Sequence, residues 1–177
     1  VTSFVAVMGN LGPTIVRMEE PSLPVTVNVR VGSVMSLLWS ATGRAFFAFM
    51  EDDARIRSAL LREWNEAPEN KRVLLDAADP LGRLRHNIRA AGCAAVRDTN
   101  LSGISAVAAP LYDYSGCVVA VLCALGASGG FDPDPDAAIA RAVRTAAAQV
   151  SASLGYAGES EPNGPQAMEK SSRIAEV

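Results

Sequence analysis

Ser40, Ala41 and Thr42 open a run over residues 41–50 that holds no helix breaker except Gly43 and is apolar around most of a helical circumference. A helix beginning there presents unpaired N–H groups at the positive end of its dipole. Two hydroxyls add donors, and the combination suits a carboxylate. The dipole contributes about 0.3–1 kcal/mol, rising to about 2 in a partly buried site, so such a contact orients a ligand more than it anchors it. Plain capping of the helix by Ser40 accounts for the same residues equally well.

Other chemistries find less support. Ala41-Thr42-Gly43-Arg44 lacks the spaced glycines and Lys-Ser/Thr ending of a phosphate-binding loop. His86 is the single histidine and sits in a charged segment near Arg83, Arg85 and Arg89, which reads as surface. Cys117 and Cys123, six residues apart on one strand, stand roughly 20 Å from each other and cannot share a metal ion. With one histidine and no tight carboxylate cluster, no zinc site is predicted. Cys123 in an apolar strand reads as an inert thiol, and no nucleophile acquires a neighbouring base. The residues therefore predict no enzyme, no cofactor and no metal.

The elements that must position the helix start follow from periodicity. Residues 1–8 and 14–18, separated by Gly9-Asn10-Leu11-Gly12, read as a hairpin, and residues 25–31 alternate strictly as a strand. Beyond the buried helix at 41–50, Asp52 or Asp53 caps a second helix to Glu63, with Ile56, Ala59, Leu60 and Glu63 at three-and-four spacing. Residues 64–76 read as a surface connection. Asp79-Pro80 then starts a third helix that Gly92 closes. Strands at 104–112 and 117–125 are joined by Asp113-Tyr114-Ser115-Gly116, a second hairpin. Asp132-Pro133-Asp134-Pro135-Asp136 supplies caps for a last helix, 137–154, with Ile139, Val143, Ala147, Val150 and Leu154 on one face. The order predicts an α+β fold: an antiparallel sheet with helices on a face, of GAF- or PAS-like kind.

Both faces of the second hairpin are apolar. If Tyr112 pairs with Cys117, Ala106 lies opposite Cys123 and Ile104 opposite Leu125, with Ala108, Val119 and Val121 on the same face. The other face carries Val107, Ala109, Leu111, Val118, Ala120, Leu122 and Ala124. Helices on one side leave the other to a second helical layer, a partner subunit or loops closing on a ligand. A filled core and a ligand pocket both fit these residues.

Composition sets the bounds. The 177 residues, 49% hydrophobic, suffice for one packed domain with a tail. A net charge of −3 with no basic stripe excludes DNA binding by this piece itself. The longest apolar runs fall far short of the roughly 20 residues that span a bilayer. Three unpaired cysteines argue against a disulfide framework, and with no secretory signal the natural setting is the cytoplasm. From Ala157 on, Gly, Ser, Glu, Pro and Asn dominate, so residues 157–177 are predicted to be a disordered tail.

Three stretches carry a family resemblance. GSVMSLLWSATGRAFFAFM, residues 32–50, is similar to the IclR segment in which a Gly and short loop lead to a His-Ala-x-x-x-Gly-Lys-Ala-like helix start; Leu38 stands at the His position and Arg44 replaces Lys. IRAAGCAAVRDTNLSGISAVAAPL, residues 88–111, resembles the family's run of helix, Gly, acidic loop and Ala-Ala-Pro strand. Tyr112-Asp113-Tyr114-Ser115-Gly116 and the strand to Gly126 resemble the hairpin that follows.

The resemblance implies that residues 1–156 form an IclR-type effector-binding domain, detached from the N-terminal winged helix-turn-helix of the parent regulator. It implies a homodimer or homotetramer, no membrane, and contact with DNA only through the missing domain. It further implies a small organic effector, carboxylic or aromatic, bound at Val27, Met35, Leu38, Ser40, Ala41, Thr42, Val96, Asp98, Ala106, Cys123 and Leu125. The acidic loop is shortened to Arg97-Asp98-Thr99-Asn100, and Val96 and Ala106 are apolar where polar residues are frequent, so the preferred ligand has an apolar body and one carboxylate or hydroxyl. A pure oligomerisation module without a functional pocket is the alternative.

Overall fold

The structure, a computed structural model, describes residues 1–21, 29–50, 53–72 and 78–158. Strands β1 (Thr2–Met8) and β2 (Pro13–Glu19) form the first hairpin, followed by helices α1 (Ala41–Phe49), α2 (Ala54–Glu66), α3 (Glu69–Arg72) and α4 (Pro80–Ala91). Strands β3 (Ala94–Arg97), β4 (Ile104–Tyr112) and β5 (Val118–Ala127) precede helix α5 (Ala138–Ser153). The strands make one antiparallel sheet in the order β2-β1-β5-β4-β3. This is the predicted α+β class.

The predicted strand at 25–31 falls largely outside the described residues. Beyond it, Gly32 turns the chain at φ 90°. The next residues run beside β2: Ser33 O accepts from Ile15 N at 3.0 Å, and Met35 N donates to Pro13 O at 2.7 Å. Strand β3 was not visible in the sequence, because its four residues are too few to show alternation. It follows directly on the left-handed Gly92 that ends α4.

The two apolar faces of the central hairpin are both covered by helices. Ala106, Ala108, Val121, Cys123 and Leu125 pack beneath α1, with Ile56 of α2 and Ile88 of α4 in the same core. Val107, Ala109, Leu111, Ala120 and Ala124 pack beneath Ala140, Val143 and Ala147 of α5. The expected helical layer on one face is thus a layer on each.

Register departs from the simplest expectation by two residues. Ala106 pairs with Leu125 and Ala108 with Cys123, because the turn adds one residue and a bulge at Leu111/Tyr112 adds another. A shift of two preserves the faces. At the bulge itself they exchange: Val118 joins the α1-side core, while Val119, predicted there, is exposed.

The buried stripe of α5 also differs from the predicted one. Ala140, Val143, Ala147 and Ser151 point inward, whereas Val150 and Leu154 remain exposed. Small residues at 140 and 147 allow close approach to the sheet, so the tightest face wins over the most apolar one. The aspartates before α5 do not cap it. Asp132 and Asp134 accept from the N–H groups of Asp134 and Asp136, shaping the lead-in, and the N-cap is Ala137.

Gly43 fixes how α1 seats. A β-carbon there would lie 2.1 Å from Ser36 O and 2.4 Å from Leu37 Cα, so the backbone of the preceding turn occupies the space a side chain would take. Gly43→Ala is therefore expected to cost about 3 kcal/mol despite alanine's better helix propensity. In a domain of this size that lowers the melting midpoint by roughly 6–12 °C. An unchanged midpoint in a calorimetric scan would contradict this packing.

Candidate functional site

The start of α1 is held by a carboxylate from another helix. Glu63 of α2 accepts from Leu37 N at 2.7 Å, Leu38 N at 3.0 Å and Ser36 Oγ at 2.6 Å. Ser36 Oγ in turn accepts from Trp39 N at 3.1 Å. Ser40 Oγ donates to Ser36 O and accepts from Gly43 N at 2.9 Å, so its hydroxyl is fully used as a cap. Glu63 shares the stripe of Ile56 and Ala59 on α2, and that placement on an otherwise apolar face was the signal in the sequence for its inward role.

What remains at the helix start faces a small cavity between α1 and the sheet. The N–H groups of Ala41 and Thr42, in the first turn, have no acceptor among the described residues. Thr42 Oγ1 is buried with no nitrogen or oxygen partner among the described residues and only the Cys123 thiol beside it. The walls are otherwise apolar: Phe4, Val29, Met35, Val96, Ile104, Ala106, Cys123 and Leu125. Asn100 and Leu101 close one side from the loop at 98–103. The space open to water is about 30 Å³, room for one or two water molecules.

Eight of the eleven residues predicted for the site meet at this cavity: Met35, Ser40, Ala41, Thr42, Val96, Ala106, Cys123 and Leu125. Val27 lies outside the described residues. Leu38 stands apart, its side chain packed with Trp39 and Ala67 and its carbonyl accepting from Arg44 Nε at 2.7 Å. Arg44 is itself buried, 8% exposed, and burial lowers its pKa to about 10. Phe4, Val29, Asn100, Leu101 and Ile104 were not anticipated, because they reach the cavity through sheet pairing and a loop crossing.

Asp98 also stays out of the cavity wall, for a structural reason. Its backbone is left-handed, φ 58°, and its carboxylate turns onto its own loop, accepting from Gly103 N at 2.7 Å and Ser128 Oγ at 2.8 Å. Thr99 Oγ1 donates to Trp39 O at 2.7 Å, tying the same loop to the turn before α1. Asp98 and Thr99 thus hold the segment that presents Asn100 and Leu101.

Electrostatics are muted at the sheet side of the cavity. Burial pushes the Cys123 thiol up to about 12, against a smaller opposing pull from the Thr42 hydroxyl beside it. No cluster of His, Cys, Asp and Glu suited to a metal ion occurs among the described residues. The arrangement offers donors to an anion and apolar contact to its body.

A thiol with a pKa near 12 is about one part in 10⁴ thiolate at pH 8, and buried Cys93 is shielded by packing. Iodoacetamide at pH 8 is expected to add one group to the folded protein, at exposed Cys117, and three to the unfolded chain. Rapid modification of Cys123 in the folded state, seen by peptide mass spectrometry, would contradict this environment.

Comparison with known proteins places this geometry. The family model for the bacterial transcriptional regulator IclR C-terminal region matches residues 3–152. Among solved structures, HmgR from Pseudomonas aeruginosa is 32% identical, with a TM-score of 0.78 over 89% of this chain and 60% of that protein. IclR from Thermotoga maritima is 21% identical, with a TM-score of 0.71 over 88% of this chain and 62% of that one. The repressor BlcR from Agobacterium tumefaciens is 20% identical, with a TM-score of 0.68 over 88% and 60%. The chain therefore spans about three fifths of the length of each. Among curated proteins no sequence matches it.

Proposed function

This chain belongs to the IclR C-terminal family of bacterial transcriptional regulators, and from that premise we propose that it is the effector-sensing domain of a longer DNA-binding regulator. The family consists of regulators, not enzymes. The proposed domain covers residues 1–156 and responds to a small organic acid. Its carboxylate would meet the N–H groups of Ala41 and Thr42 and the Thr42 hydroxyl. The apolar part would lie along Val96, Ala106, Cys123 and Leu125.

The observation that carries this reading is the Thr42 hydroxyl, buried with only the weakly accepting Cys123 thiol beside it. A buried hydroxyl without a partner costs about 1–3 kcal/mol, and it sits at a helix N-terminus whose first N–H groups are also unpaired. Three donors converging on one cavity, with the weakly accepting Cys123 thiol the nearest polar group among the described residues, are complementary to an anion. The present cavity is smaller than an organic acid. Binding therefore displaces the wall, and the wall with the least packing is the loop at 98–103, where Leu101 is 42% exposed.

Displacing that loop pulls on Trp39 through Thr99 and on Ser128 through Asp98. Occupancy would in this way be felt at the turn before α1 and at the end of β5. In a dimeric or tetrameric parent, such a change biases the spacing of the DNA-binding domains in proportion to the ligand's preference for one arrangement. A second reading, an oligomerisation module whose sheet face is filled by side chains, is favoured by the small size of the cavity.

A thermal-shift titration with aliphatic and aromatic carboxylic acids and their amides separates the two. An acid at 100 times its dissociation constant adds about 2.7 kcal/mol, raising the midpoint by roughly 5–10 °C. Thr42→Val replaces the buried hydroxyl with a methyl group, and is expected to raise the unliganded midpoint by about 2–4 °C while abolishing the response to acids held beneath α1. Ala106→Leu fills the cavity and should abolish it too. No shift with any acid would favour the oligomerisation module, and an undiminished shift in both variants would place the acid away from the cavity under α1 and overturn that site.

A further inference from the structure

A second cleft lies at the edge of β4 beyond its pairing with β3, between α5 and Phe49 at the end of α1, with a volume of about 390 Å³. It shares no residue with the cavity under α1. Its size falls in the range of small-molecule sites. We propose that this cleft is a separate binding site for an elongated aryl-substituted carboxylate.

One end of the cleft is aromatic. Tyr112 of β4 stacks on Tyr156 with ring centroids 4.8 Å apart and planes at 23°, and Phe49 meets Tyr112 edge-on at 6.5 Å. This cluster is built by the chain's return after α5: Tyr156 N donates to Ser151 O at 3.0 Å, and Ser151 Oγ accepts from Tyr112 N at 3.0 Å. The rings are half-buried, leaving aromatic surface facing the cleft.

The other end carries a cation. Arg144, seven residues before Ser151 on α5, stands about 10 Å away along the helix axis. Its Nη1 donates to Pro135 O at 2.7 Å and to Cys93 Sγ at 3.2 Å. Those bonds fix the side chain and use one nitrogen of the guanidinium. Its Nε and Nη2 make no hydrogen bond to the described residues, and no Asp or Glu lines the cleft among them. A held guanidinium with donors to spare, in a cleft lined by no described Asp or Glu, selects a carboxylate, which it can bind through paired hydrogen bonds.

The separation decides the ligand class. A ring stacked at Tyr112 and Tyr156 and an anion at Arg144 must be joined by a spacer of several bonds, so benzoate is too short to engage both. Between them the floor is Ala109, Pro110 and Ala147, small and apolar, which suits a methylene chain. Pro110 sits where β4 has run past its partner β3, whose pairing ends at Ala108. With no N–H, it offers that linker no unpaired donor.

The test uses the whole chain with 5-phenylpentanoate as probe and 5-phenylpentanamide as its neutral control, read by isothermal titration calorimetry. The variants Ala106→Leu and Thr42→Val each serve as a background in which the cavity under α1 is closed to acids, so that either suffices if the other folds poorly. In that background the acid is expected to bind at one site. Arg144→Met and Tyr156→Ala should each weaken it about ten-fold or more, and benzoate and the amide should bind at least as much more weakly. Circular dichroism verifies that both cleft variants keep their fold. The proposal is overturned if the acid does not bind up to 10 mM, if the amide binds equally well, or if neither cleft variant changes the affinity.

Discussion

The central hairpin of β4 and β5 is apolar on both faces, and that constraint organises everything around it. A sheet with two apolar faces must be covered twice. One cover, α5, follows β5 after a short lead-in and is small-faced enough to lie close. The other is assembled from the 41–91 region, with α1 against the sheet and α2 and α4 behind it. Because α1 enters this layer at its N-terminal end, unpaired backbone donors are brought into an apolar space. The site arises from the need to cover the sheet at that point.

Glu63 turns that arrangement into a defined geometry. By taking the N–H groups of Leu37 and Leu38, it satisfies the donors of the turn before α1 and leaves those of Ala41 and Thr42 as the unsatisfied ones. Gly43 lets the same turn pass against the helix without a side chain in the way. Each feature alone is ordinary. Together they place three donors against Ala106, Cys123 and Leu125, a wall that is small and apolar and whose one thiol is held neutral by burial.

Local chemistry made much of this legible. The caps at Ser40, Asp53 and Asp79 marked the starts of three helices and the left-handed Gly92 the end of one, since capping depends on neighbours in the chain, whereas α2 runs three residues past its expected end at Glu63 and α3 lies in the stretch read as a connection. The face shared by Ala106, Ala108, Val121, Cys123 and Leu125 was readable from alternation alone, because a register error of two leaves faces intact. Where a bulge intervened, at Val118 and Val119, alternation failed. The inward stripe of α5 was misread for a related cause: apolarity ranks residues by transfer energy, and the helix chose the face on which Ala140 and Ala147 fit.

The parts that escaped the sequence are those made by return of the chain from a distance. Asp98 reads as a ligand-facing acid in a loop beside the site, yet a left-handed backbone turns it onto Gly103 and Ser128. Its position is near the ligand space and its function is to shape the loop. The cleft at Arg144 shows the same logic in reverse. In the sequence Arg144 is one more charge within the last helix, and Tyr156 is the last residue before the predicted tail. Only the fold-back of Tyr156 onto Ser151, and the seat of Arg144 between Pro135 and Cys93, set a fixed cation and an aromatic stack along one groove. The two places thus differ in the donors they present: helix N–H groups beneath α1, and a side-chain guanidinium beside α5. The first depends on burial and the second on charge, so salt screens the second more strongly than the first.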